Sequence, residues 1–130
     1  MKLQKSIEWH DSEIVSLEVD ASFANLKMRA SLHVSEGEPG VAAGEVWTQI
    51  ISVCISNPEQ AGSSAKGEWV SEGTLTLDGT SIENMISVPF EFSGKVCLRL
   101  LGPSFEVTLR GTGIEIVEVG KAKYLQAFPG

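Results

Sequence analysis

Residues 26–34, Leu-Lys-Met-Arg-Ala-Ser-Leu-His-Val, decide the fold class. Leu26, Met28, Ala30, Leu32 and Val34 alternate with Lys27, Arg29, Ser31 and His33. A period of two is that of an extended strand with one face on a core and the other in water. The side bearing Lys27, Arg29 and His33 is therefore expected to be wet, as in antiparallel sheets covered on one face only.

Upstream, Val15, Leu17 and Val19 alternate with Ser16 and Glu18, which predicts a strand over 13–19 and a turn at Ala24-Asn25. Downstream, 35–44 holds Pro39 and three glycines and reads as a loop. From 46 to 55 both faces are apolar, with Trp47, Ile51, Val53 and Ile55 against Val46, Ile50 and Cys54. A strand of that composition is expected to be covered on both sides and to lie at the centre of a sheet. A second polar loop spans 57–67, and shorter strands follow at 68–71, 74–77, 87–92, 96–101, 105–110 and 114–119. Asp78-Gly79, Ser93-Gly94 and Gly102-Pro103-Ser104 are the connectors. Over 120–128, Ala122, Leu125 and Phe128 share a helical spacing and Pro129-Gly130 ends it, which predicts one short C-terminal helix. The expectation is one all-β domain over 1–130, an antiparallel meander of eight or nine strands. It forms either a barrel, toward which the consecutive hairpins lean, or a two-sheet sandwich.

Composition narrows the function classes. The chain has 130 residues, 42% hydrophobic and 21% charged, and is of ordinary globular make-up. Its net charge of −7 lacks the dense Lys/Arg footprint that phosphate backbones require, so nucleic acid is not an expected partner. The first nine residues carry two lysines but no apolar core of a signal peptide, and the uncharged stretch 46–58 falls short of the ~20 residues of a membrane helix. No membrane association and a cytoplasmic location are expected. Cys54 and Cys97 lie in apolar strands and read as reduced thiols in that compartment.

Trp9-His10-Asp11-Ser12 brings together the residue types of a hydrolytic triad. Neighbours on an extended chain point to opposite faces, whereas a triad is assembled from distant segments, so no catalytic residue is assigned. The alternative is that Asp11 and Ser12 bond nearby backbone amides while Trp9 packs on the core. His10 and His33 lack the spacing of a zinc site, and neither a metal nor another cofactor is expected. Arg110-Gly111-Thr112-Gly113 lacks the third glycine and the helix of a dinucleotide fingerprint and reads instead as a bulge or tight hairpin. Arg110 alternates outward from Val107 and Leu109. Trp9, His10, Asp11 and Arg110 are the candidate binding residues.

The opening Trp9-His10-Asp11-Ser12-Glu13-Ile14 resembles small bacterial all-β proteins of unknown function. So do the closing Gly111-Thr112-Gly113 and the stretch from Gly120-Lys121-Ala122 to Phe128-Pro129. Some of these proteins look like immunity proteins that neutralise polymorphic toxins. The resemblance implies an all-β fold and a bacterial source, and it carries over no site residue. The preferred expectation is a non-enzymatic protein-interaction module, immunity-like, with an acidic surface that steers it to a partner. An exposed edge strand would also permit a homodimer. The alternatives are a small hydrolase using His10 and Asp11, or a small-molecule-binding barrel with Trp47 and Trp69 in its lumen.

Overall fold

A computed structural model describes residues 4–35, 44–59, 67–83, 85–121 and 123–128. Nine strands are present in these residues: β1 Gln4–Val19, β2 Phe23–Ser35, β3 Gly44–Ser56, β4 Glu72–Leu77, β5 Thr80–Glu83, β6 Met85–Ser87, β7 Phe90–Gly102, β8 Phe105–Glu118 and β9 Lys123–Phe128. All pairings are antiparallel, and eight strands follow one path, β5-β4-β7-β8-β3-β2-β1-β6, with β9 branching onto β3.

That order begins and ends on strands that are consecutive in the chain. A flat eight-stranded sheet would put its margins roughly 34 Å apart, at ~4.8 Å per step. Glu83 ends β5 and Met85 begins β6, and a two-residue span reaches at most ~7 Å. The sheet therefore curls until its margins nearly meet. Its inner face becomes a single apolar core drawn from β1, β2, β3, β4, β6, β7 and β8, with Trp9, Leu26, Met28, Ile55, Leu75 and Leu109 fully buried. Among the described residues no continuous ladder closes the ring, so it is neither a closed barrel nor two separate sheets. Instead, residues 67–70 are laid against the middle of β1. Asp11 N donates to Val70 O, Val70 N to Ser12 O, Ile14 N to Glu68 O and Gly67 N to Ile14 O, at 2.7–3.1 Å. Of the expected strand at 68–71, only a bridge from Trp69 to Glu13 is formed.

β2 alternates as its sequence demands, with Leu26, Met28, Ala30 and Leu32 buried and Lys27 and Arg29 exposed. His33 is the exception on that face, its side chain only 16% exposed against Glu8. β3 is central: β2 lines one edge along its full length, while β8 takes Ile51–Ser56 and β9 takes Gly44–Thr48 on the other. The Asp78-Gly79 hairpin has both residues at positive φ, 48° and 87°, the geometry of a two-residue type I′ turn.

Four further expectations need correction: the first turn falls at residues 20–22 rather than at Ala24-Asn25, which are paired within β2. The C-terminal helix is a strand, because β8 ends opposite Ile51 and leaves the first half of β3 with an open edge, which residues 123–128 pair. One or two turns of isolated helix gain less than such a ladder. Ser93-Gly94 does not reverse the chain. Gly94 and Lys95 stand against Thr112 alone, a bulge made possible by Gly94 at φ 144°, so two expected strands fuse into β7 and two into β8. In β1 a further irregularity lies between Ile14 and Ser16, so Ile14 and Leu17 take the inward positions while Val19 is left 45% exposed. The greater part of both expected long loops, 36–43 and 60–66, lies outside the described residues.

The meeting of the margins is felt most sharply at Gly73, whose backbone lies on the indole of Trp9. A Cβ there would sit 2.5 Å from Trp9 Cγ and 2.9 Å from Cδ1. Gly73→Ala is expected to lower stability by about 2 kcal/mol, the usual cost of overpacking, in a denaturant titration.

Candidate functional site

Between the pairs Glu8–Ser31 and Glu13–Arg29, β1 inserts four residues, 9–12, where β2 has only Ala30. This bulge is the Trp9-His10-Asp11-Ser12 motif. Asp11 takes φ 67°, a region aspartate tolerates better than most side chains, and the resulting bend releases β1 toward residues 67–70. Trp9 swings into the core, and its indole N–H meets no acceptor among the described residues. Ser12 is 1% exposed; its hydroxyl donates to Glu8 O at 2.6 Å and accepts from Ser31 N at 3.1 Å. The hydroxyl thus replaces the ladder bond the bulge removes, and it is committed to backbone rather than presented as a nucleophile.

The polar part of the motif faces outward. His10 Nδ1 lies 3.1 Å from Asp11 Oδ2 and 3.6 Å from Glu8 Oε1, while His33 Nε2 lies 2.7 Å from Glu8 Oε2. Both histidines of the chain therefore meet one carboxylate. Among the described residues no group of three His, Cys, Asp or Glu side chains is placed to hold a metal ion.

Arg110 lies elsewhere. It stands opposite Cys97 on β7, at a cleft of ≈ 370 Å³ whose lining includes Asn57, Glu59, Lys95 and Thr112 but none of residues 9–11. The cleft exists because β3 leaves β8 there: beyond Ser56 the chain turns at Asn57, φ 50°, and Glu59 N donates to Arg110 O. Gly111 permits the close approach, since a Cβ on it would run into the carbonyl oxygen of Ser56. The four candidates thus fall in three places: Trp9 in the core, His10 and Asp11 on the bulge, and Arg110 at the cleft.

A further surface was not visible from the sequence. Cross-strand pairing aligns Trp69, Glu13, Arg29, Ile50 and Val119 in one row on the outer face, with Glu13 and Arg29 joined as an ion pair at its middle. Trp69 is 55% and Val119 54% exposed. Two positions along the strands beyond Ser16, Lys27 and Ser52 runs a second row, Glu18, Asn25, Cys54, Glu115 and Glu91. A groove of ≈ 320 Å³ between the rows is lined by Ser16, Glu18, Asn25, Lys27, Ser52 and Val119. Burial first, then the charges of Glu115 and Asp20, push the Cys54 thiol above its ordinary range. The chain matches no family model, no curated protein and no solved structure.

The role given to Ser12 is open to measurement. Ser12→Ala strands the amide of Ser31 in the bulge and is expected to cost about 2 kcal/mol in chemical denaturation, whereas exposed His10→Ala is expected to stay within ~0.5 kcal/mol of the parent.

Proposed function

We propose that the chain is a non-enzymatic interaction module that engages a basic protein partner through the outer face of β1, β2 and β3. The observation that carries this reading is the row from Trp69 to Val119. A tryptophan more than half exposed at one end, an apolar valine at the other and an arginine between them span roughly 19 Å at the inter-strand spacing. Tryptophan and arginine are the residue types that dominate binding energy at protein interfaces.

Charge selects the partner. Glu91 and Glu115 stand directly opposite each other on β7 and β8, and neither forms an ion pair among the described residues. Like charges so placed weaken a sheet, and a basic partner would relieve them while the net charge of −7 steers its approach. An immunity-like protein that covers a basic toxin is one form this function takes, and it agrees with a cytoplasmic location. The hydrolase reading has less support, because the hydroxyl nearest His10 and Asp11 in sequence is bonded on both sides to backbone. A ligand in the lumen is likewise less favoured, since core side chains occupy the interior and Trp69 lies outside it.

Immobilised at low ionic strength, the chain is expected to retain a basic protein from lysate of its source cells, released by added salt. Trp69→Ser and Glu115→Lys are each expected to abolish that retention with the circular dichroism spectrum unchanged. Retention of the same proteins by parent and variants, or of none by the parent, would overturn the reading.

A further inference from the structure

The outer face carries a further inference, which rests on the docking reading above and names what the partner must present. Four large apolar side chains are exposed among the described residues: Val19, Phe23, Trp69 and Val119. Trp69 and Val119 belong to the row already described. Phe23, 50% exposed, stands two positions beyond Asn25 on β2 and therefore on the same outer face. It heads a row of its own, with Ser56, Gly113 and Ser93. The two exposed aromatic side chains thus lie on opposite sides of the acidic row of Glu18, Glu115 and Glu91. From Arg29 to Phe23 the step along β2 is about 20 Å.

Charge on this ground is one-sided when every group is counted. The rows and the turn at Asp20 hold five carboxylates, of Glu13, Glu18, Asp20, Glu91 and Glu115, against two cations, Lys27 and Arg29, a surplus of three negative charges. Arg29 is taken up by Glu13, so the surplus lies in the band between Lys27 and Phe23. The backbone amides of Phe23, then of Ser22, hold the Asp20 carboxyl below its ordinary range, which keeps it anionic.

Phe23 is also fixed in place. Asp20 N donates to Phe23 O and Phe23 N to Asp20 Oδ1, both at 2.9 Å, while Asn57 N, just past β3, donates to Ser22 O at 2.8 Å. An aromatic ring on a backbone held this way loses little freedom on binding, which favours it as an anchor. Surface hydrophobics scattered singly need no explanation, but two hydrogen-bonded aromatic positions that frame one charged band call for one.

We propose that Phe23 is a second anchor of the same docking face, and that the partner presents a strip of Lys or Arg side chains bordered by two apolar pockets, one for Trp69 and one for Phe23. The carboxylates of the band set attraction and register, and the two rings supply the apolar burial that holds the complex.

The test is photo-crosslinking of the full chain in its source cells, with p-benzoylphenylalanine placed at position 23, at position 69 or at position 19. Val19 borders the same turn and is 45% exposed, but it pairs with buried Ala24 and so lies on the core side of β1. Positions 23 and 69 are expected to link to one and the same protein, at two sites separated by basic residues, and position 19 is expected not to reach it. With the partner so identified, Phe23→Ser is expected to weaken its binding about tenfold, with the circular dichroism spectrum and the salt dependence unchanged. Glu91→Gln is expected to flatten the salt dependence instead. Linkage from 69 without linkage from 23, linkage to different proteins, or parental affinity in Phe23→Ser would overturn this inference and leave the docking reading standing. No linkage from either position would overturn both.

Discussion

The rest of the structure depends on a covalent constraint: the two margins of the sheet are β5 and β6, and they are separated by residue 84 alone. Hydrogen bonding along the path favours an extended ribbon of eight strands, yet the chain cannot let its ends part by more than ~7 Å. Curling is the only arrangement that satisfies both. It turns one face of the sheet into the interior, so the alternation of β2 and the inward residues of β7 and β8 find one another without a second layer. It also explains why the core needs its largest side chain, Trp9, next to a residue with none, Gly73, at the line where the margins approach.

The bulge at residues 9–12 follows from the same constraint. β1 pairs β6 through Ser6–Glu8 and then passes to the segment 67–70 from Asp11 onward. It changes partner within three residues, and Asp11 at positive φ with Ser12 as a surrogate ladder group is the local means. The most conspicuous motif of the sequence is thus used up largely in structure. What it leaves outside, His10 and Asp11 beside Glu8, is a surface pair.

Legibility in the sequence tracked how local the cause was. Alternation in β2, the central place of β3 and the Asp78-Gly79 turn rest on residues within a few positions of one another and appear as read, whereas the second face of β3 is half-buried rather than covered. The fused strands β7 and β8 were hidden because a glycine that bulges a strand and one that ends it are the same letter; only the partner strand decides. β9 was hidden because its cause is the vacant edge of β3, some 75 residues away in the chain. The outward direction of Arg110 was legible from Val107 and Leu109, but the cleft around it depends on where β3 leaves β8. Trp69, as apolar as Trp9 by composition, lies outside because its neighbour Val70 takes the inward position on the segment that pairs with β1.

The surface read as functional lies on the outside of the curl, where side chains are free of the packing that fixes the interior. It departs from local economy in the glutamates that face each other beside the docking row. Departures of that kind in an otherwise consistent sequence are where function is to be sought. All of this assumes margins that meet, which nuclear Overhauser contacts within the monomer measure directly. Contacts are expected from Ile82 to Leu75 and, in the same molecule, from Ile86 to Ile7 and from Gly73 to the indole of Trp9. A chain in which residues 80–87 run as one strand along a single partner, with no contact between Gly73 and Trp9, would contradict the curled sheet and everything derived from it.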